Sequence, residues 1–334
     1  MTILNHPMPI FRTPLSPQKN ALNILHSDSI LCLGSCFAQH IGERLAKHKF
    51  STLLNPFGIL YHPLSISNSL QWLNDTTFFS SKDLFQHMGL WHSFAHHGQF
   101  SNENQEACLA SINQSLTKGR AQLKKSKYLI VTLGTAHVFQ YKLTKEVVAN
   151  CHKLPNTDFN RYRLSVATIT EAFSSTFEEL HRQYPDLQII VSVSPVRHLR
   201  DGHIENQRSK ASLILALSEL EKQFNFVHYF PAYELLLDDL RDYRFYASDM
   251  IHPNETAIDY IWNYFSTTFF NQKTKQLISE IEKIRAASQH RPFRPKSAAH
   301  QQFVEEQLAK IQALEAKYAF LDFKEEVYRM ISVE

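Results

Sequence analysis

Short apolar runs that close on glycine, alternating with long stretches of helical periodicity, constrain this chain more than any other feature. The first run covers residues 29–33 and ends at Gly34-Ser35, after which Phe37, Ile41 and Leu45 recur at helical spacing. Residues 50–54 read as a second strand, broken by Asn55-Pro56-Phe57-Gly58, and 64–73 read as a helix. A long helix over 103–125 leads into an apolar run at 128–133 that again ends in glycine, at Gly134. After a hairpin or loop around 141–155 the pattern continues with a helix over 165–183, a strand over 187–193 and a helix over 205–223. A strand over 226–229 and helices over 231–240 and 253–269 complete it. Strands alternating with long helices call for a parallel sheet covered on both faces, and in such sheets sites lie at the carboxyl ends of the strands.

Beyond residue 270 the strands stop. Helical stretches at 274–288 and 300–317 flank the basic joint Arg291-Pro292-Phe293-Arg294-Pro295-Lys296, so the chain divides into an α/β domain over 1–270 and a helical extension over 271–334. The extension packs on the main domain, joins copies of the chain into a homo-oligomer, or remains a solvated tail. With 334 residues and 43% hydrophobic content the chain is not disordered. A net charge of +3 names neither a nucleic acid nor an anionic membrane as partner. No stretch reaches the roughly 18 apolar residues of a membrane span, residues 1–20 do not read as a signal peptide, and Cys32, Cys36, Cys108 and Cys151 form no zinc-type pairs. The cytoplasm is therefore the default location.

Glycine is scarce, 8 in all, and three of the eight, Gly34, Gly58 and Gly134, fall at or just after expected strand ends. A serine following Gly34 at the start of a helix presents its hydroxyl above the sheet, where the helix N-terminus faces developing negative charge. Ser35 is thus a candidate nucleophile; its plainer reading is a helix cap. Asp249-Met250-Ile251-His252 lies in a polar loop before the last helix of the α/β region. There an aspartate three residues ahead of a histidine can fix its tautomer and leave the other ring nitrogen free to take a proton. The plainer reading is a capping Asp249 and a surface His252. Arg197 and His198 follow the 187–193 strand and belong near the carboxyl edge, where a guanidinium can bind a carboxylate or a sugar hydroxyl; a helix-capping or ion-pair role for Arg197 is the other reading. Cys36 reads as a packing residue, and His92, His96 and His97 as part of an aromatic loop rather than a metal site.

Gly34-Ser35-Cys36-Phe37-Ala38, together with NPFGILYHP at 55–63, VTLGTAHVF at 131–139, SPVRH at 194–198 and RDYRFYASDMIHPN at 241–254, resembles the GSCFA family of SGNH-type (GDSL-like) hydrolases. The resemblance spans about residues 11–269. It implies a three-layer α/β/α sandwich with a mostly parallel, flavodoxin-like sheet, Ser35 as nucleophile, His252 as base and then acid, and Asp249 as the residue that orients His252. The oxyanion would rest on the Ser35 and Gly58 N–H groups. Where the wider superfamily carries Gly-x-Asn-Asp, this chain reads Gly134-Thr135-Ala136-His137, so the usual Asn donor is missing; Asn55, Thr135 and His137 are the candidates to replace it, with Arg197 for substrate. The implied activity is hydrolysis of small acyl esters, acetyl foremost, on a carbohydrate or other polar alcohol, with no cofactor and no metal. The alternatives are an O-acyltransferase using the same triad and a non-catalytic carbohydrate-binding protein.

Overall fold

Residues 13–17, 22–295 and 297–332 are described by a computed structural model. Of the N-terminal stretch read against a signal peptide, all but residues 13–17 lies outside them, as does Lys296 of the basic joint. The elements run β1 (Ser29–Gly34), α1 (Cys36–Lys47), β2 (Ser51–Leu54), α2 (Pro63–Asn74), β3 (Phe85–His87), β4 (Leu90–His92), α3 (Gln105–Lys125) and β5 (Ser126–Leu133). They continue with β6 (His137–Tyr141), β7 (Val147–Val148), β8 (Phe159–Arg163), α4 (Val166–Gln183), β9 (Gln188–Val193), α5 (Gly202–Gln223) and β10 (Val227–Phe230). The chain then forms α6 (Ala232–Glu234), widening into a π-helical stretch (Leu235–Leu240), and ends with α7 (Glu255–Phe269), α8 (Gln272–Ser288), α9 (Ala298–Lys317) and α10 (Lys324–Ile331).

The five long-range strands form one parallel sheet in the order β2-β1-β5-β9-β10. Successive side chains of a strand point to opposite faces, and β1 uses both. Leu31 and Leu33 pack with Leu70, Ile112, Phe173 and Leu217 on the face covered by α2 to α5. Ile30 and Cys32 pack with Phe37, Ile41, Ile261 and Phe265 under α1 and α7. The result is an α/β/α sandwich of flavodoxin-like order. Strand order reverses between β1 and β5, and the crevice outside their carboxyl ends is where such sheets bind ligands.

The hairpin expected around 141–155 is instead part of a three-stranded antiparallel sheet, β7-β6-β8, that starts at His137 and ends at Arg163. β8 is Phe-Asn-Arg-Tyr-Arg, too polar to stand out as a strand. It is held by rings instead: Phe159 lies against Phe139 and Tyr141, and the Arg161 guanidinium sits 4.4 Å from the Phe139 centroid.

The C-terminal helices α8 to α10 enclose a core of their own around Ile281, Ile284, Ile311 and Phe323. They are docked on the α/β domain: Lys49 Nζ meets Glu326 Oε2 at 2.8 Å, His48 Nε2 meets Glu282 Oε1 at 3.0 Å, and the Thr274 hydroxyl donates to Ile24 O at 3.3 Å. The solvated-tail reading therefore gives way to a packed unit. Among the described residues no helix is long and apolar enough to cross a membrane.

Candidate active site

Ser35 stands at the reversal point of the sheet. Gly34 has φ +134°, and a Cβ there would lie 2.1 Å from Thr132 O, so only glycine lets β1 run this close to β5. The N–H of Gly34 donates to Asn55 Oδ1 at 2.9 Å and its carbonyl accepts from Leu60 N at 3.1 Å, which fixes the turn ahead of Ser35. Ser35 is the N-cap of α1: its Oγ accepts from Phe37 N at 3.3 Å, and its own N–H donates to Thr132 O at 3.1 Å. The hydroxyl is thus buried at the N-terminus of a 12-residue helix with no acidic residue in its first turn.

Asp249 and His252 are joined directly, His252 Nδ1 to Asp249 Oδ2 at 2.7 Å. The other carboxylate oxygen accepts from the N–H groups of Ile251 and His252, at 2.9 and 3.0 Å. Hydrogen bonding from the His252 ring above all, then from these two N–H groups, holds the Asp249 carboxyl down at about 2. The loop is carried to the carboxyl edge by Arg197, whose N–H donates to Ile251 O at 3.1 Å and whose guanidinium donates to Met250 O at 2.9 Å. His252 interacts electrostatically with His40 of α1 and with His198 beyond β9. Among the described residues no hydrogen bond joins Ser35 Oγ to His252.

Several expected binding residues have other employment. The Gly58 N–H closes the turn onto Asn55 O at 2.7 Å and is not free for an oxyanion. Asn55 uses Oδ1 on Gly34 and donates from Nδ2 to Gln39 Oε1 at 3.1 Å, so it braces the serine turn instead of facing a ligand. The Thr135 hydroxyl turns toward α5, 3.1 Å from Ser209 Oγ, and accepts the His137 N–H. His137 is buried beside Asp201 and Glu205, at 3.9 and 3.7 Å, in a cluster completed by Arg161 and Arg163. Arg197 lies over the Tyr243 and Tyr246 rings as the anchor of the Asp249 loop, not as a free guanidinium.

Residues 29–265 match the family model described as GSCFA family, and residues 281–329 match that of the GSCFA domain protein, C-terminal domain. The chain belongs to the GSCFA family. No curated protein matches it. A crystal structure of a carbohydrate esterase family 3 from Talaromyces cellulolyticus is similar to the GSCFA chain at a TM-score of 0.36 and 9% identity, over 76% of this chain and 99% of that one.

Around the serine of this GSCFA protein lie residues that single-residue reasoning passed over. Tyr61 accepts the Gly134 and Thr135 N–H groups on its carbonyl, at 2.7 and 3.0 Å, and its hydroxyl interacts with the Cys36 thiol. Burial raises the Cys36 thiol and takes the Tyr61 hydroxyl up to about 12. On α5, Asn206, Ser209 and Lys210 fall on one face: Asn206 Oδ1 accepts the His198 N–H at 2.9 Å, Ser209 Oγ accepts the Ala136 N–H at 2.7 Å, and Lys210 Nζ donates to Gly134 O and Ser194 O at 2.7 and 2.6 Å. One helical face therefore holds the loops that follow β5 and β9. The signal was present in the sequence as polar residues at i, i+3 and i+4, in line with the apolar Leu213, Leu217 and Leu220 that face the core. His92 closes β4, with both ring nitrogens hydrogen-bonded, to Ser101 Oγ and His87 O, and His96 in the loop that follows stacks on Phe57 at 4.6 Å.

Proposed function

We propose that the GSCFA protein is a serine esterase that removes small acyl groups, acetyl foremost, from a carbohydrate or another polar alcohol. Ser35 Oγ attacks the ester carbonyl while His252 Nε2 takes its proton, and Asp249 holds the imidazole and balances the imidazolium that forms. His252 then returns the proton to the leaving alcohol oxygen. Water, deprotonated by the same imidazole, releases the carboxylic acid and restores Ser35.

The observation that carries this reading is the Asp249–His252 pair at 2.7 Å, with Nδ1 engaged and Nε2 left for a substrate or serine proton. The supporting one is Ser35 at the reversal point of the parallel sheet, capping a helix whose N-terminus favours negative charge. Replacing Ser35 by Ala is expected to abolish hydrolysis of p-nitrophenyl acetate with the fold intact. Full activity in Ser35→Ala would defeat the assignment. The engagement of both the Ser35 and Gly58 N–H groups within the protein is what speaks for the second reading, a non-catalytic carbohydrate-binding protein, which predicts a wild type inert toward every activated ester.

A further inference from the structure

Both backbone donors expected at the oxyanion position are engaged by the protein, Ser35 N–H by Thr132 O and Gly58 N–H by Asn55 O. Charge developing on an attacked ester must therefore find another donor at this edge. His198 Nε2 is buried with no hydrogen-bond partner, and an unpaired buried nitrogen in a native fold calls for an explanation.

The position of His198 is well determined. Its backbone N–H donates to Asn206 Oδ1 at 2.9 Å, and its ring stands edge-on to Tyr61 with centroids 5.7 Å apart. A Cβ on Gly134 would lie 2.8 Å from Nε2, so any other residue there would crowd the ring out. Gly134 sits two residues beyond Thr132, the partner of Gly34 and Ser35, which brings the ring to the strand next to the serine turn. His252 interacts electrostatically with His198 and with His40 of α1.

We propose, building on the serine-esterase reading, that His198 is a further catalytic residue whose ring N–H binds the oxyanion formed when Ser35 attacks. A donor for an oxyanion must keep its proton without carrying a charge that suppresses the neighbouring base. His198 meets this condition: burial first, then Lys210 and His252, push its imidazolium down to about 3, so the ring stays a neutral imidazole with one N–H. Arg161 and His137 add to the same effect. The step moves no proton to or from His198; the electron pair of the carbonyl π bond goes to oxygen, is held by the N–H, and returns when the alcohol leaves.

The test compares wild type, His198→Ala and His198→Gln by p-nitrophenyl acetate kinetics and by the rate at which a fluorophosphonate labels Ser35, with circular dichroism and thermal midpoints to establish folding. Losing one such donor is expected to lower kcat by about 10²–10³ and slow labelling similarly, with KM within about threefold. The Gln side chain, which restores an N–H at similar reach, is expected to recover at least about tenfold of that loss. A folded His198→Ala that labels and turns over at the wild-type rate overturns this inference alone, as does a folded His198→Gln no faster than His198→Ala. Absence of a Ser35 adduct in wild type overturns the serine reading and this inference with it.

Discussion

The side-chain oxygen of Asn55 accepts the N–H of Gly34 at 2.9 Å, so the residue before Ser35 is clamped from the loop after the neighbouring strand. Asn55 is buried and has φ 44°, a left-handed conformation that asparagine tolerates better than most residues. Asn55→Gly removes the clamp together with the Nδ2 bond to Gln39 and leaves the buried Gly34 N–H unpaired, a loss of about 1–3 kcal/mol. Asn55→Ala also strains the backbone, by about 1–2 kcal/mol more. Urea denaturation is expected to rank wild type above Gly above Ala; Ala equal to Gly would remove the conformational argument.

Asp249 acts through His252, and its carboxyl is held at about 2. Because the folded value is depressed, the group is ionised in the folded chain above about 2, and its favourable contribution, full above the ordinary value of 3.8, is lost as pH falls from there through about 2. The acid limb of wild-type kcat/KM is therefore expected to show no carboxylate step above about pH 4. Asp249→Asn should lower kcat by about 10²–10⁴ with KM little changed, since it disturbs the tautomer of His252 and not substrate binding. Steady-state kinetics across pH 4–9 check both statements; an unchanged kcat would separate the aspartate from the chemistry.

Cys36 adjoins the proposed nucleophile, but burial raises its thiol, an effect that the Tyr61 hydroxyl offsets only in part. A protonated thiol is a poor nucleophile. Cys36→Ala is expected to keep ester hydrolysis within about threefold of wild type, and iodoacetamide to modify Cys36 more slowly than free cysteine at pH 7.5. Loss of activity in Cys36→Ala but not in Ser35→Ala would transfer the attack to sulfur.

What could be read from the sequence follows from how local each signal is. Gly34 and Gly134 mark strand ends because the runs before them are continuous and apolar, and the order of strands and helices follows from the same alternation. Asp249 and His252 are three residues apart, so their contact needs only one turn of loop. Asn55 and Gly34 are 21 residues apart and β8 is mostly polar, so neither the clamp nor the small antiparallel sheet leaves a periodic trace. The same holds for donors: a chain shows that Gly58 has an N–H, but not that Asn55 O already takes it.

The C-terminal unit is tied down through Glu326, whose side chain is 8% exposed and meets Lys49 Nζ at 2.8 Å, with Lys49 also 5.2 Å from the Phe323 ring. Removing one member of a mostly buried pair strands the other. Glu326→Ala is expected to cost about 1–3 kcal/mol and to raise hydrogen exchange in α8 and α10. Unchanged exchange there would mean that the apolar core around Ile281 and Phe323 holds the unit without the ion pair.

Lys210 is 1% exposed, and no described carboxylate pairs with it; its Nζ donates to the carbonyls of Gly134 and Ser194 and lies 5.6 Å from the centroid of the Tyr233 ring. A neutral amine has two N–H groups, matching these two acceptors, and burial lowers the group from 10.5 to about 7. The sign follows from proton counting. Below about 7 the amine is charged in the folded and unfolded chain alike, and the folded state carries the full burial penalty. Between about 7 and 10.5 only the unfolded chain binds the proton, so this group's contribution to stability rises with pH, by at most about 1.4 kcal/mol per unit. Lys210→Met removes the titration, together with two hydrogen bonds whose loss does not depend on pH. The stability of wild type minus that of Lys210→Met is therefore expected to grow from pH 7 to pH 10 in urea titrations. A difference that stays flat or shrinks would mean that Lys210 remains an ammonium beneath the strand ends, and that its charge, not its two N–H groups, is what the site uses.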